Sequence, residues 1–160
     1  MDYNLLRLLE GDCTLSKKQL AAMVGTSADR VEETIQEYEK AGIIQGYKAV
    51  IDWDATDRQD VTALIEVKVE PQRDDGFDRV AERIYQYEEV ESCYLMSGDF
   101  YMTVIISGRS LQEVARFVSQ KLSTIDAVKS TATHFILKKY KESHLIFKKK
   151  EEQEEGFVFV

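Results

Sequence analysis

Proline occurs once in this 160-residue chain, cysteine twice, histidine twice and tryptophan once. Each scarcity excludes something. Two cysteines, Cys13 and Cys93, far apart and without a C-x-x-C spacing, make neither a disulfide framework nor a redox motif. They read as two free thiols of a reducing compartment. With only His134 and His144 to join them, and neither pair at zinc-motif spacing, a zinc site is not expected. Apolar runs are short, and none approaches the roughly 20 residues of a membrane-spanning helix. The opening MDYNLLRLLEGD has no basic region ahead of an apolar one, so it does not read as a signal peptide. We therefore expect a cytoplasmic protein with no membrane partner. Motifs of catalysis are missing too. No Gly-rich phosphate loop, G-x-S-x-G or H-E-x-x-H is present. The carboxylates form no constellation apart from charged helix faces, and no cofactor is implied.

Positive charge is also short. Lys and Arg number 21 against 29 Asp and Glu, a net charge of -8. An acid balance of this size argues against a non-specific nucleic-acid coat. It leaves room for a sequence-specific reader, which needs only a local patch to meet phosphate. In residues 1–50, Arg7, Lys17, Lys18, Arg30, Lys40 and Lys48 face Asp2, Glu10, Asp12, Asp29, Glu32, Glu33, Glu37 and Glu39. Six against eight is a net of -2, so this part is less acidic than the rest but not basic.

What is present is a helix-turn-helix. Leu5, Leu6 and Leu9 stripe a short opening helix. Ser16 with Gln19 is a capping box, so a second helix starts there. Leu20, Ala21 and Val24 give it a buried face. Gly25 supplies the turn, and the small Ala21 lets the next helix cross closely. Ser27 caps a third helix with Val31, Ile35 and Tyr38 on its inner side. Gly42 ends it. Such geometry lays the third helix in the DNA major groove, yet that helix carries Asp29, Glu32, Glu33 and Glu37 against Arg30 and Lys40. Arg30 can reach guanine O6 and N7, or pair with Glu33 or Glu37 on its own helix. Glu33 can accept from cytosine N4. Lys17 and Lys18 stand where the second helix would cross the DNA backbone, as phosphate contacts or as exposed lysines.

Gly46 to Trp53 then turns to β-type composition, a linking strand, and Asp54 to Asp60 is polar and turn-like. Thr62 to Glu70 alternates, with Ala63, Ile65, Val67 and Val69 on one side, and Pro71 closes it. Phe77, Val80, Ala81 and Ile84 repeat at helical spacing. Val90 to Met96 and Met102 to Ser107 are β-rich runs around Ser97-Gly98-Asp99, a hairpin signal. Leu111, Val114, Ala115, Val118 and Leu122 stripe another helix, capped by Ser110 with Glu113. Ala132 to Tyr140 is a last strand. This β-α-β-β-α-β order predicts an α+β chain: a three-helix domain over 1–50, a linking segment over 51–60, and a ferredoxin-like βαββαβ domain over 61–140. One sheet face would stay open, with apolar residues that imply a second copy as partner. In the tail, 141–160, Leu145 to Phe147 and Phe157 to Val160 are expected as edge strands.

In this order, four strings resemble the Lrp/AsnC family of "feast/famine" regulators: LLRLLEGDCTLSKKQLAAMVGTS, AGIIQGYKAVID, VESCYLMSGDFYMTVIISG and STATHFILKKYK. The resemblance covers nearly the whole chain. It implies a transcriptional regulator that binds double-stranded DNA, with Lys17, Lys18, Ser27, Asp29, Arg30, Glu33 and Thr34 at the interface. It implies a dimer, or a tetramer or octamer built from dimers. It further implies a small effector, in many members an amino acid, held by Gly98, Asp99, Phe100 and Tyr101 with Thr131 and Thr133 on the facing strand. Two positions depart from the family pattern. Tyr101 stands where an aspartate is common, and a phenol cannot replace that charge toward an ammonium group. The third helix is acidic where many members carry arginines. Two other readings share the architecture. One is a ligand-sensing or co-regulatory protein that has lost DNA binding. The other is a haem-pathway decarboxylase, which would want histidines or basic residues around a tetrapyrrole.

Overall fold

The computed structural model describes residues 1–58, 60–70, 76–99 and 101–147. These form two compact units. The first is Met1–Ile51 with Lys141–Ile146, and the second is formed by the stretch from Asp52 to Tyr140 together with Phe147.

In the first unit, helices α1 (Tyr3–Gly11), α2 (Lys17–Val24) and α3 (Ala28–Lys40) share one core. Leu5, Leu9, Leu20, Ala21, Val31 and Ile35 are buried in it. Each start is capped as its side chains dictate. Asp2 accepts from the Asn4 and Leu5 amides. Ser16 and Gln19 form the reciprocal capping box, and Ser27 accepts from the Arg30 amide. Gly25 ends α2 in the left-handed conformation, φ +74°, which costs an L side chain about 1–2 kcal/mol. That one residue makes the sharp turn of the motif. Tyr38 ties the far end back: its hydroxyl accepts from the Asp2 amide at 2.5 Å.

The expected linking strand is not formed. Gly46–Asp52 joins no ladder, and Trp53–Ala55 is a single 3-10 turn. A strand needs a neighbour for its amides, and among the described residues none is offered there. The tail also departs from expectation. Lys141–Glu142 (β5) and Leu145–Ile146 (β6) pair with each other as a hairpin and not with the main sheet. Phe157 to Val160 lies outside the described residues.

In the second unit, β1 (Val61–Val69), α4 (Phe77–Tyr85), β2 (Val90–Leu95), β3 (Met102–Gly108), α5 (Leu111–Phe117) and β4 (Val128–Phe135) follow the β-α-β-β-α-β order. The sheet order is β2-β3-β1-β4, antiparallel throughout, the ferredoxin-like arrangement. Ala63, Ile65, Val67 and Val69 of β1 and Met102, Val104 and Ile106 of β3 pack under Val80 and Ile84 of α4 and Val114 and Phe117 of α5. After α5 the chain widens into one π turn, Val118–Leu122. The Ser123 amide there reaches back to the Val118 carbonyl, and Leu122 is driven fully into the core.

The opposite sheet face carries Thr62, Leu64, Glu66 and Lys68 of β1, paired with Thr103, Ile105 and Ser107 of β3 and with Ser130, Ala132 and His134 of β4. It is more polar than expected. Leu64 and Ile105 are half-buried at its centre. His134 Nε2 lies 3.6 Å from Glu66 Oε1, and the Thr62 and Ser107 hydroxyls are 3.3 Å apart.

Candidate DNA interface and effector loop

Helix α3 turns Val31, Ile35 and Tyr38 inward, so Asp29, Arg30, Glu33, Gln36 and Glu37 are left exposed. Two cationic side chains of this surface, Arg30 and Lys17, are already engaged. Arg30 Nη1 donates to Glu33 Oε2 at 3.2 Å, one turn along the same helix. Lys17, at the start of α2, pairs with Glu32 of α3 and so spans the two helices of the motif. Lys18 is exposed and enters no ion pair among the described residues. Ser27 is occupied as a cap, and Thr34 Oγ1 donates to the Arg30 carbonyl at 2.8 Å. Beside α3 runs an open groove of about 760 Å³ between Met1–Asn4 and the helix, with Arg30, Thr34 and Glu37 on its wall. The chain's first residues did not stand out in the sequence as neighbours of this surface. The Asp2–Tyr38 bond brings them there.

In the second unit, the turn between β2 and β3 contains Gly98 at φ +131°, a conformation that favours glycine. The Met96 amide closes it onto the Tyr101 carbonyl at 2.8 Å. Asp99 is exposed. The Tyr101 ring leans on Phe77, the first residue of α4, with centroids 5.3 Å apart. Phe100 lies outside the described residues. Thr131 and Thr133 are half-buried on the helix-side face of β4. The strand that faces the turn is β1 and not β4: Met102 pairs with Val67, which pairs with Thr131. Two strand spacings, about 10 Å, separate them. One chain therefore does not gather the turn and the two threonines around a single point.

A second hollow, about 590 Å³, opens at the other end of β3, beside Arg58, Arg109, Lys121, Glu89 and Glu113. Lys121 pairs with Glu89 and holds that carboxyl below the usual glutamate range. Arg58 pairs with Asp60 at 2.5 Å. These residues are scattered through the sequence and gave no motif to read.

Residues 62–146 match the Lrp/AsnC ligand-binding domain. The chain belongs to the Lrp/AsnC family. Residues 1–45 match a winged helix-turn-helix DNA-binding domain; in the structure those residues hold three helices and no strand. A relative in Bacillus subtilis strain 168, the uncharacterized HTH-type transcriptional regulator YugG, is 48% identical over 91% of this chain and 89% of its own. The leucine-responsive regulatory protein of Escherichia coli K12 is 25% identical, covering 90% and 87%. Among solved structures, the feast or famine regulatory protein of Mycobacterium tuberculosis complexed with L-methionine superposes with TM-score 0.71 at 26% identity, covering 88% of this chain and 92% of its own. This Lrp/AsnC protein is thus a helix-turn-helix transcriptional regulator carrying the family's ligand-binding domain, and its named relatives are regulators, not enzymes. Among the described residues no helix is long and apolar enough to cross a membrane.

Proposed function

We propose that this regulator binds duplex DNA as an oligomer, with α3 in the major groove and α2 against the backbone, and that an amino acid bound to the Gly98 turn sets its DNA affinity. The capped, Gly25-turned helix pair carries the first half of the reading. Arg30, Glu33 and Asp29 then face base edges, and Lys17, Lys18, Ser27 and Thr34 lie toward phosphate. A dimer places two α3 helices on half-sites one DNA turn apart, about 10 base pairs. Leu64 and Ile105 on the open sheet face support a second copy as the partner. Gly98, Asp99, Phe100 and Tyr101 are the effector turn. Because Thr131 and Thr133 stand two strands away, they complete the site only from another subunit or around a ligand long enough to span the gap. The L-methionine held by the M. tuberculosis relative supports an amino acid as the effector. It acts through its differential affinity for the two DNA-affinity states.

The test is selection from a random-sequence duplex pool at moderate salt. A recovered pseudo-palindrome is the expected result. No enrichment down to low salt overturns DNA binding. It would favour the second reading, a co-regulatory oligomer that has lost DNA contact, which the paired state of Lys17 and Arg30 supports. Calorimetry with each common amino acid tests the effector. Heat that Gly98→Val abolishes is expected, and silence throughout removes an amino acid from the reading.

A further inference from the structure

We propose that Glu32 and Glu33 are specificity-determining residues: they neutralise Lys17 and Arg30 from within, so that random duplex is bound weakly and only a site offering replacement partners opens the pairs. The proposal rests on the DNA-binding reading above. Its basis is the pairing on the exposed side of the motif, Lys17 with Glu32 across the two helices and Arg30 with Glu33 along α3 at 3.2 Å. Side-chain exposure of 39% for Glu32 and 63% for Glu33 keeps both carboxylates at the surface that DNA would meet.

Non-specific affinity comes from cations that replace the counterions of phosphate. A lysine or arginine already paired to a carboxylate brings no net charge to that exchange. To touch phosphate it must give up its partner and leave a carboxylate beside the polyanion. Sequence-blind binding is therefore penalised twice at each pair. A base edge is different. Guanine O6 and N7 accept two hydrogen bonds from an arginine, and cytosine N4 donates to a carboxylate. One G·C pair offers both, so Arg30 and Glu33 exchange each other for the two bases together. A·T pairs lack the guanine edge. Acidity on this helix then suppresses wrong sites rather than preventing binding, and the favoured site is a G·C pair under the first turn of α3.

Affinity of the full-length protein is measured for the selected duplex and for a random duplex of equal length, across about 50 to 200 mM salt. The proteins are wild type, Glu32→Gln, Glu33→Gln, the double variant and Glu37→Gln. Glutamine keeps the shape and removes the charge, and thermal melts by circular dichroism check that each variant folds. Glu37 is exposed and enters no ion pair among the described residues, so its variant removes charge alone. The double variant is expected to bind random duplex about tenfold tighter. Its plot of log affinity against log salt should steepen by about 1.8, two phosphate contacts at about 0.9 each. Affinity for the selected site should change less, so discrimination falls. Glu37→Gln should move random binding less than either single variant. If wild type enriches a site but the double variant keeps the wild-type slope, or Glu37→Gln matches the paired positions, this inference fails and DNA binding stands. If no protein in the set retains any duplex, DNA binding fails and this inference with it. A double variant that binds random duplex where wild type enriches nothing overturns the inference as well, because the two carboxylates then block binding without selecting any site.

Discussion

Arg30 and Lys18 are both exposed cations of the motif, but their surroundings differ. Arg30 is held by Glu33 on its own helix, α3, whereas Lys18 enters no ion pair among the described residues and lies at the start of α2. Arg30→Ala is expected to weaken binding to the selected duplex by about 10- to 100-fold, as the loss of a bidentate guanine contact of about 1–3 kcal/mol implies, with little change on random duplex. Lys18→Ala should weaken both alike and lower the salt slope by about 0.9. Equal effects of the two substitutions on both duplexes would contradict this division. The two thiols separate by environment in the same way. Cys13 is exposed, whereas Cys93 is half-buried on the helix-side face of β2, and burial pushes its thiol up. Thiolate is the reactive form. Near pH 8 a disulfide reagent should label Cys13 quickly, and Cys93 slowly until the pH is raised or the chain unfolded. Cys13→Ser should remove the fast phase, and equal labelling rates for both thiols would be inconsistent with the fold. Much at this scale was legible in the sequence. Ser16, Gln19, Gly25 and Ser27 have local roles fixed by residue type and spacing, and each is found in that role. The pairing of Lys17 with Glu32 was not legible, because it joins residues of different helices and depends on how those helices cross.

At the scale of elements, the strand order was readable and the strand ends were not. The last strand was expected over Ala132 to Tyr140 and runs from Val128 to Phe135. Its partner explains the shift. β1 begins at Val61, and after the Ile136 amide has bonded to the Thr62 carbonyl there is no ladder left for residues beyond it. Gly46 to Trp53 failed as a strand for the same reason, since its composition is right but it has no strand neighbour among the described residues. The π turn after α5 had no signal either. Leu111, Val114, Val118 and Leu122 keep ordinary helical spacing straight through it, so the pattern places Leu122 in the core without marking the wider turn. Leu122→Ala should therefore cost about 2–5 kcal/mol of stability, the range for a buried leucine. Denaturant unfolding checks this, and a loss under about 1 kcal/mol would place Leu122 outside the core.

Across the whole molecule, Leu64 and Ile105 sit half-buried at the centre of a face that also carries Ala132 and is otherwise lined mainly by hydroxyl, imidazole and charged groups. A single apolar spot ringed by polar groups suits a specific partner better than general adhesion. Sedimentation equilibrium should give a mass at a multiple of the 18.4 kDa chain, and Ile105→Asp should lower it. A wild-type mass of one chain would refute the oligomer, and an unchanged mass for Ile105→Asp would move the contact elsewhere.

The hairpin at Lys141–Ile146 belongs to the same compact unit as Met1–Ile51, although the sheet unit lies between them along the chain. During synthesis on the ribosome, the helix-turn-helix residues emerge first but wait for this hairpin until the sheet unit has been made. A nascent chain stalled after Tyr140 thus lacks this hairpin, although every residue of the α1–α3 core has already been made.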